Sequence, residues 1–140
     1  MEFQIIQKNE YYISELYKIL KHKKYNISHE KMPCFDEHKL FVMNHPYRKW
    51  YLLKNLDVSI GSAYLTFDNV VGINLLSPNK LLYMAIIEML LDIEEPLPEI
   101  KSLRSKYFIV NASPDNFSFI QALDALGMLH LQQSYALKRI

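Results

Sequence analysis

Residues 70–91, VVGINLLSPNKLLYMAIIEMLL, limit what this chain can fold into more than any other stretch. An apolar strand at 70–76 runs into Ser77-Pro78-Asn79, and a long apolar helix leaves on the other side. In an open α/β sheet, the crevice beyond the carboxyl end of a strand faces the next helix's first turn. Its unpaired amides and the helix dipole favour anions there. A ligand site is therefore expected near residues 75–80. Any strand, turn and helix would give the same arrangement, so the stretch by itself names no ligand.

The rest of the chain fits around that unit. Residues 3–7 form a short strand, and Asn9 caps a helix over 10–22 whose Ile13, Leu16, Tyr17 and Leu20 recur at the spacing of one buried face. Lysines at 21, 23 and 24 suit the negative end of its dipole. Residues 25–33 read as a loop. A second helix begins at Asp36, with Phe35, Leu40, Phe41 and Met43 as its apolar residues, and His45-Pro46 stops it. Strands follow at 47–54 and 58–67, joined by a turn at 55–57, and Asp68-Asn69 makes a tight turn into the strand at 70–76.

The helix over 80–93 carries a wide apolar face, as burial against a sheet requires. Residues 94–106, with Pro96 and Pro98, are a connection. A strand at 107–111 is apolar enough to be buried on both faces, and Pro114 starts a helix that runs to Leu126 and ends at Gly127. Residues 128–138 alternate and are expected to close the sheet. The expected architecture is a single α/β (α+β) domain over 1–140. Its mixed, mostly antiparallel sheet has about six strands, flanked by about four helices.

Composition narrows the function. Sixteen Lys and Arg against fifteen Asp and Glu give a charge of +1, so bulk electrostatics recruits neither nucleic acid nor an anionic membrane. Cys34 is alone, which excludes an internal disulfide and a thiolate metal cluster, and no His, Asp and Glu spacing suggests a metal. Cys34 reads as loop packing. Residues 1–10 lack the pattern of a secretory signal, and the apolar run at 81–91 is too short to span a bilayer. A cytoplasmic location is expected.

Two segments and the element order resemble the GNAT superfamily of N-acetyltransferases, which move an acyl group from acyl-CoA to an amine. Residues 110–128, VNASPDNFSFIQALDALGM, resemble the family's strand, Asn-rich turn, helix and terminal Gly-Phe, with Asn111, Pro114, Asp115, Asn116 and Gly127 at matching places and Met128 for Phe. LQQSYAL at 131–137 is similar to the last strand of many members. Residues 26–53 resemble the front of a subgroup associated with amino sugars of bacterial surface polysaccharides. Two departures stand out. Where the family has a glycine-rich loop for the CoA pyrophosphate, this chain has Ser77-Pro78-Asn79-Lys80-Leu81, without glycine. Leu123 stands where many members carry a proton-donating tyrosine, and leucine has no proton to give.

The resemblance implies acetyl-CoA as co-substrate and a small-molecule primary amine as acceptor, such as the amino group of a nucleotide-linked amino sugar. Backbone groups of Asn74, Leu75 and Leu76 would pair with the pantetheine arm, and the amides near Asn79, Lys80 and Leu81 would face phosphate. Asn111 and Asn116 would hydrogen-bond near the cofactor, or serve as turn and capping residues. His45 is the candidate base because an imidazole has a suitable pKa. Tyr135 is a candidate proton donor from the last strand. His29, Glu30 and Tyr47 are placed at the acceptor pocket. A rival reading is a fold relative that has lost acyl transfer and binds or assembles instead. An exposed edge at 47–54, or the last strand, could join two copies into a homodimer.

Overall fold

The computed structural model describes residues 1–22 and 31–139. Their order is β1 (Glu2–Ile5), α1 (Glu10–Lys21), α2 (Phe35–Met43), β2 (Lys49–Asn55), β3 (Val58–Leu65), β4 (Val70–Leu75), α3 (Lys80–Ile93), β5 (Ile109–Val110) and α4 (Phe117–Ala125). The five strands make one open mixed sheet in chain order. β1 to β4 pair antiparallel, and β5 lies parallel to β4.

Strand alternation sends side chains to two faces, and each face is covered by helices. Trp50 and Leu52 of β2 pack under α1 and α2 with Ile13, Leu16, Ile19 and Val42. Tyr51 and Leu53, with Ala63 and Leu75, pack under α3 and α4 against Tyr83, Ile86, Ile87, Phe119 and Ala122. A third group, Leu65, Val71 and Leu90, closes the β4–β5 end and gathers Phe108 and Val110. The helix ends follow local chemistry. The side chains of Asn9, Asn79 and Asn116 accept from the amides of Tyr12, Leu82 and Phe119 at 3.1, 2.9 and 3.3 Å. Gly127 adopts φ 74° just past α4, a conformation that penalises any residue with a Cβ.

The turn between β2 and β3 places Leu56 and Asp57 at φ 49° and 66°, the two-residue geometry that matches strand twist. Between Leu53↔Gly61 and Lys54↔Ser59 the register slips by one. Ile60 is thus a β-bulge, and its carbonyl accepts from the Leu76 amide at 3.0 Å.

Four expectations are corrected. Residues 128–139 do not form a sixth strand; they are exposed and pair with no strand among the described residues, the outer edge of β5 included. The strand at 107–111 contracts to Ile109–Val110, half-buried rather than covered on both faces. In α2 the buried residues are His38 and Val42, one turn apart, while Phe35, Leu40, Phe41 and Met43 are exposed. The helix expected to start at Pro114 begins instead at Phe117, since Asn116 is the capping residue.

The connection between α3 and β5 is fastened by buried polar groups. Asn69, at φ 64° and fully buried, donates to the carbonyls of Leu97 and Ser105 and accepts from the Leu97 amide, each at 2.8 Å. Arg104 donates to Pro98 O at 2.7 Å and to Phe67 O at 3.1 Å. Glu94, buried at the end of α3, pairs with Lys49 at 2.8 Å and accepts a very short hydrogen bond from the Tyr51 hydroxyl; Arg48 lies 3.8 Å away. Burial pushes the Glu94 carboxyl up, but the hydrogen bonds from Lys49 and Tyr51 and the charges of Lys49 and Arg48 outweigh it and hold it low.

Candidate functional site

The sheet splits where β4 leaves β5. Their ladder consists of Val70↔Ile109 and Val71↔Val110, and beyond it β4 continues to Leu75 while the other chain turns away. The direction of the freed groups follows from alternation. Ile109 N–H donates to Asn69 O, so odd-numbered residues of β4 face the β5 side. Even-numbered residues face β3: Val70 O accepts from Thr66 N–H, and Leu76 N–H donates to Ile60 O. The peptide groups of Ile73 and Leu75 therefore open into the split without a strand partner among the described residues.

This corrects the sequence-based assignment at the level of single residues. Of Asn74, Leu75 and Leu76, only Leu75 turns its peptide groups to the opening, and Ile73 joins it. Asn74 and Leu76 spend theirs on β3. The half-buried Asn74 side chain makes no hydrogen bond to a described residue and stands on the α1–α2 face. Ile73 was missed because its role depends on which way the ladder runs, and pairing direction leaves no trace in a strand's own composition.

The split leads to the start of α3. The Asn79 side chain accepts from the Leu82 amide, and the Tyr83 amide donates to the Asn79 carbonyl at 3.1 Å. That leaves the amides of Lys80 and Leu81 facing outward, with the exposed Lys80 side chain beside them. An anion here meets two amides and one ammonium rather than a glycine-lined cradle.

On the other wall, Asn111 is exposed and Asn116 is buried. Asn116 caps α4 through its Oδ1 and donates from Nδ2 to the Tyr83 hydroxyl at 3.1 Å, which ties α4 to α3. The capping role explains this residue. Leu123, half-buried, packs on the α3–α4 core.

Tyr64 is the residue that sequence reasoning did not single out. It sits opposite Gly72 on β3, and its ring covers the position where a Cβ of residue 72 would stand, with Cζ and Oη both over that point. Gly72 is the first residue of β4 past the last β5 pair, so the ring lies over β4 at the level where the split begins, on the α1–α2 face. The ring stacks on Tyr47 at 4.1 Å and 7°. Burial raises the pKa of both phenols, and for Tyr47 the neighbouring Tyr64 adds to the rise. Both therefore stay protonated at neutral pH. The only hint in the sequence is the pairing of an aromatic in one strand with a glycine in the next.

His45 belongs to the same aromatic group, edge-on to Trp50 at 5.1 Å and 5.5 Å from Tyr47. Its Nδ1 accepts from the Tyr47 amide at 3.2 Å, which fixes the neutral ring with its proton on Nε2. Burial and the Lys8 charge lower its pKa. The ring's one lone pair is therefore already committed. The Trp50 indole N–H is buried without a partner among the described residues. Tyr135 is 79% exposed and donates to Gln133 at 2.8 Å, away from the split. His29 and Glu30 lie outside the described residues.

Comparison with protein-family models, with curated proteins and with solved structures gives no match. The chemistry must come from the site. Among the described residues no group of His, Cys, Asp and Glu could hold a metal ion. No helix among them is long and apolar enough to cross a membrane.

Proposed function

We propose that this chain is an acyl-CoA-dependent N-acyltransferase of the GNAT type, transferring an acetyl group to a small primary amine in a ternary complex. The observation that carries the reading is the β4–β5 split. The peptide groups of Ile73 and Leu75 point into it, and the first turn of α3 lies at its end. An amide-bearing arm such as pantetheine could add to β4 there as a short strand, with its phosphates toward Lys80 and Leu81.

In such a complex the neutral amine attacks the thioester carbonyl. The C–N bond forms, the C–S bond breaks, the nitrogen gives up one proton to solvent, and the departing thiolate takes up one. Holding two substrates together supplies much of the rate, so a strong nucleophile is not required. Tyr64, whose hydroxyl lies over Gly72 where the split begins, would be better placed to donate that proton than the exposed Tyr135. His45 is poorly suited as base while Tyr47 N–H occupies its lone pair. The aromatic group of Tyr47, Trp50 and Tyr64 would border an acceptor on the α1–α2 face, and the amino group of a nucleotide-linked sugar remains the candidate.

A thiol-release assay against a panel of amino-sugar nucleotides and simple amines tests this. Turnover that falls by about a hundredfold in Tyr64→Phe, the range of a lost general acid, would support it. Full activity in Tyr64→Phe would remove that residue from the mechanism, and no thiol release with any amine would reject the enzyme. The second reading, a GNAT-fold binding or assembly module without acyl transfer, is favoured by one observation: Asn79 takes an α3 amide in a loop without glycine.

A further inference from the structure

Beside the β1 edge, each copy of this chain carries a second open sheet edge and a strand-patterned segment with no pairing among the described residues. The edge is β5. Because Ile109 faces β4, the peptide groups of Phe108 and Val110 point to the outer side and meet no strand among the described residues. The strand is residues 128–139. Leu129, Leu131, Gln133, Tyr135 and Leu137 fall on one face and His130, Gln132, Ser134, Ala136 and Lys138 on the other, the alternation of a half-buried strand. Yet Leu129, Leu131, Tyr135 and Leu137 are 80, 57, 79 and 101% exposed.

We propose that residues 128–139 of one copy pair with the β5 edge of a second copy, and that the exchange is reciprocal. The geometry points away from self-closure. Met128 N–H bonds back to Leu123 O at the α4 cap, and past Gly127 the segment joins no strand and has no glycine or proline at which to turn back. Its side-chain hydrogen bonds are internal, His130 to Gln132 O and Tyr135 to Gln133. A second copy meets the segment with matching chemistry. The open peptide groups of Phe108 and Val110 would accept a strand, and their side chains already gather against Leu65, Val71 and Leu90. Apolar residues of the incoming strand would extend that cluster.

Area and symmetry agree. The chain exposes 9634 Å², about 2,000 Å² more than the roughly 7,600 Å² expected of a compact protein of 16.6 kDa. A standard stable interface buries about 1,600 Å² in total. Two reciprocal pairings related by a two-fold axis satisfy both β5 edges and both segments, so this pairing closes as a dimer instead of propagating.

The test measures mass by light scattering for the full chain and for Leu129→Asp/Leu131→Asp, with circular dichroism to establish that the variant keeps its helices. The native chain is expected at twice its single-chain mass and the variant at the single mass. In a Cys34→Ser background, two copies with tags of different length, one carrying Tyr107→Cys and the other Ser134→Cys, are expected to give a mixed cross-linked product. A monomer at every concentration up to millimolar, a dimer indifferent to the two aspartates, or cross-linking only within a single chain carrying both cysteines would overturn the proposal.

Discussion

The ring of Tyr64 occupies the volume that a side chain at Gly72 would need, so β3 and β4 are matched at this pair by one residue having no Cβ. The stack of Tyr64 on Tyr47, and through Tyr47 the contact with Trp50 at 5.0 Å, depends on it. Gly72→Ala must therefore push the ring off β4 and break the stack. A loss of about 1–3 kcal/mol is expected, the usual range for overpacking, read from urea denaturation by tyrosine and tryptophan fluorescence. Unchanged stability would mean the ring has free space to retreat.

Asn69 makes three hydrogen bonds from a fully buried side chain in a positive-φ conformation that asparagine tolerates. Asn69→Ala leaves the Leu97 amide and two carbonyls without partners. A cost of about 3 kcal/mol is expected from the unsatisfied groups, with faster amide exchange through residues 97–105. Exchange unchanged there would show that the connection is held by Arg104 instead.

Glu94 gives a pH dependence with a definite sign. Its folded pKa lies below the ordinary 4.5, so its stabilisation is present above 4.5 and is lost as pH falls through the folded value. Glu94→Gln should lose about 2–4 kcal/mol at neutral pH, because Lys49 and the partly buried Arg48 lose their counter-charge. The acid-side slope should flatten in the same variant, as followed by thermal melts across the acid range.

His38 works in the opposite chemical sense. Its Nε2 donates to Ile13 O at 2.9 Å, and burial, only partly offset by that bond, lowers its pKa from 6.5. The folded state therefore holds the ring neutral. Stability is complete above 6.5 and declines as pH falls below it, where the unfolded chain takes up the proton first. His38→Gln can keep a donor toward Ile13 while removing that decline. An unaltered pH profile would place the titration elsewhere, His45 being the other histidine lowered by burial.

What was legible in the sequence was what local chemistry decides. Asn9 caps the helix it precedes, and α3 begins at Lys80 and ends at Ile93 as its apolar pattern requires. The order of the first nine elements follows from the same signals. The limits were set by pairing. Residues 128–138 have the alternation of a strand, but a strand needs a neighbour, and within one copy they pair with none of the described strands. Composition could point to residues 74–76, yet only the ladder's direction selects Ile73 and Leu75. Tyr64 became visible once β3 was in register with Gly72, a contact between residues eight apart in the chain. In α2 the large apolar residues suggested the buried face, and the helix turned His38 inward instead because Ile13 O supplies a partner for its ring.

The most direct test of the functional account is calorimetric titration of the full chain with acetyl-CoA, repeated with Lys80→Ala. Binding that weakens about tenfold in the variant, the scale of one lost charge-assisted contact, is the predicted result; it would put the phosphates at the start of α3 and the arm along Ile73 and Leu75. Neither heat nor thermal shift at millimolar acetyl-CoA would contradict the account and leave the split without this ligand.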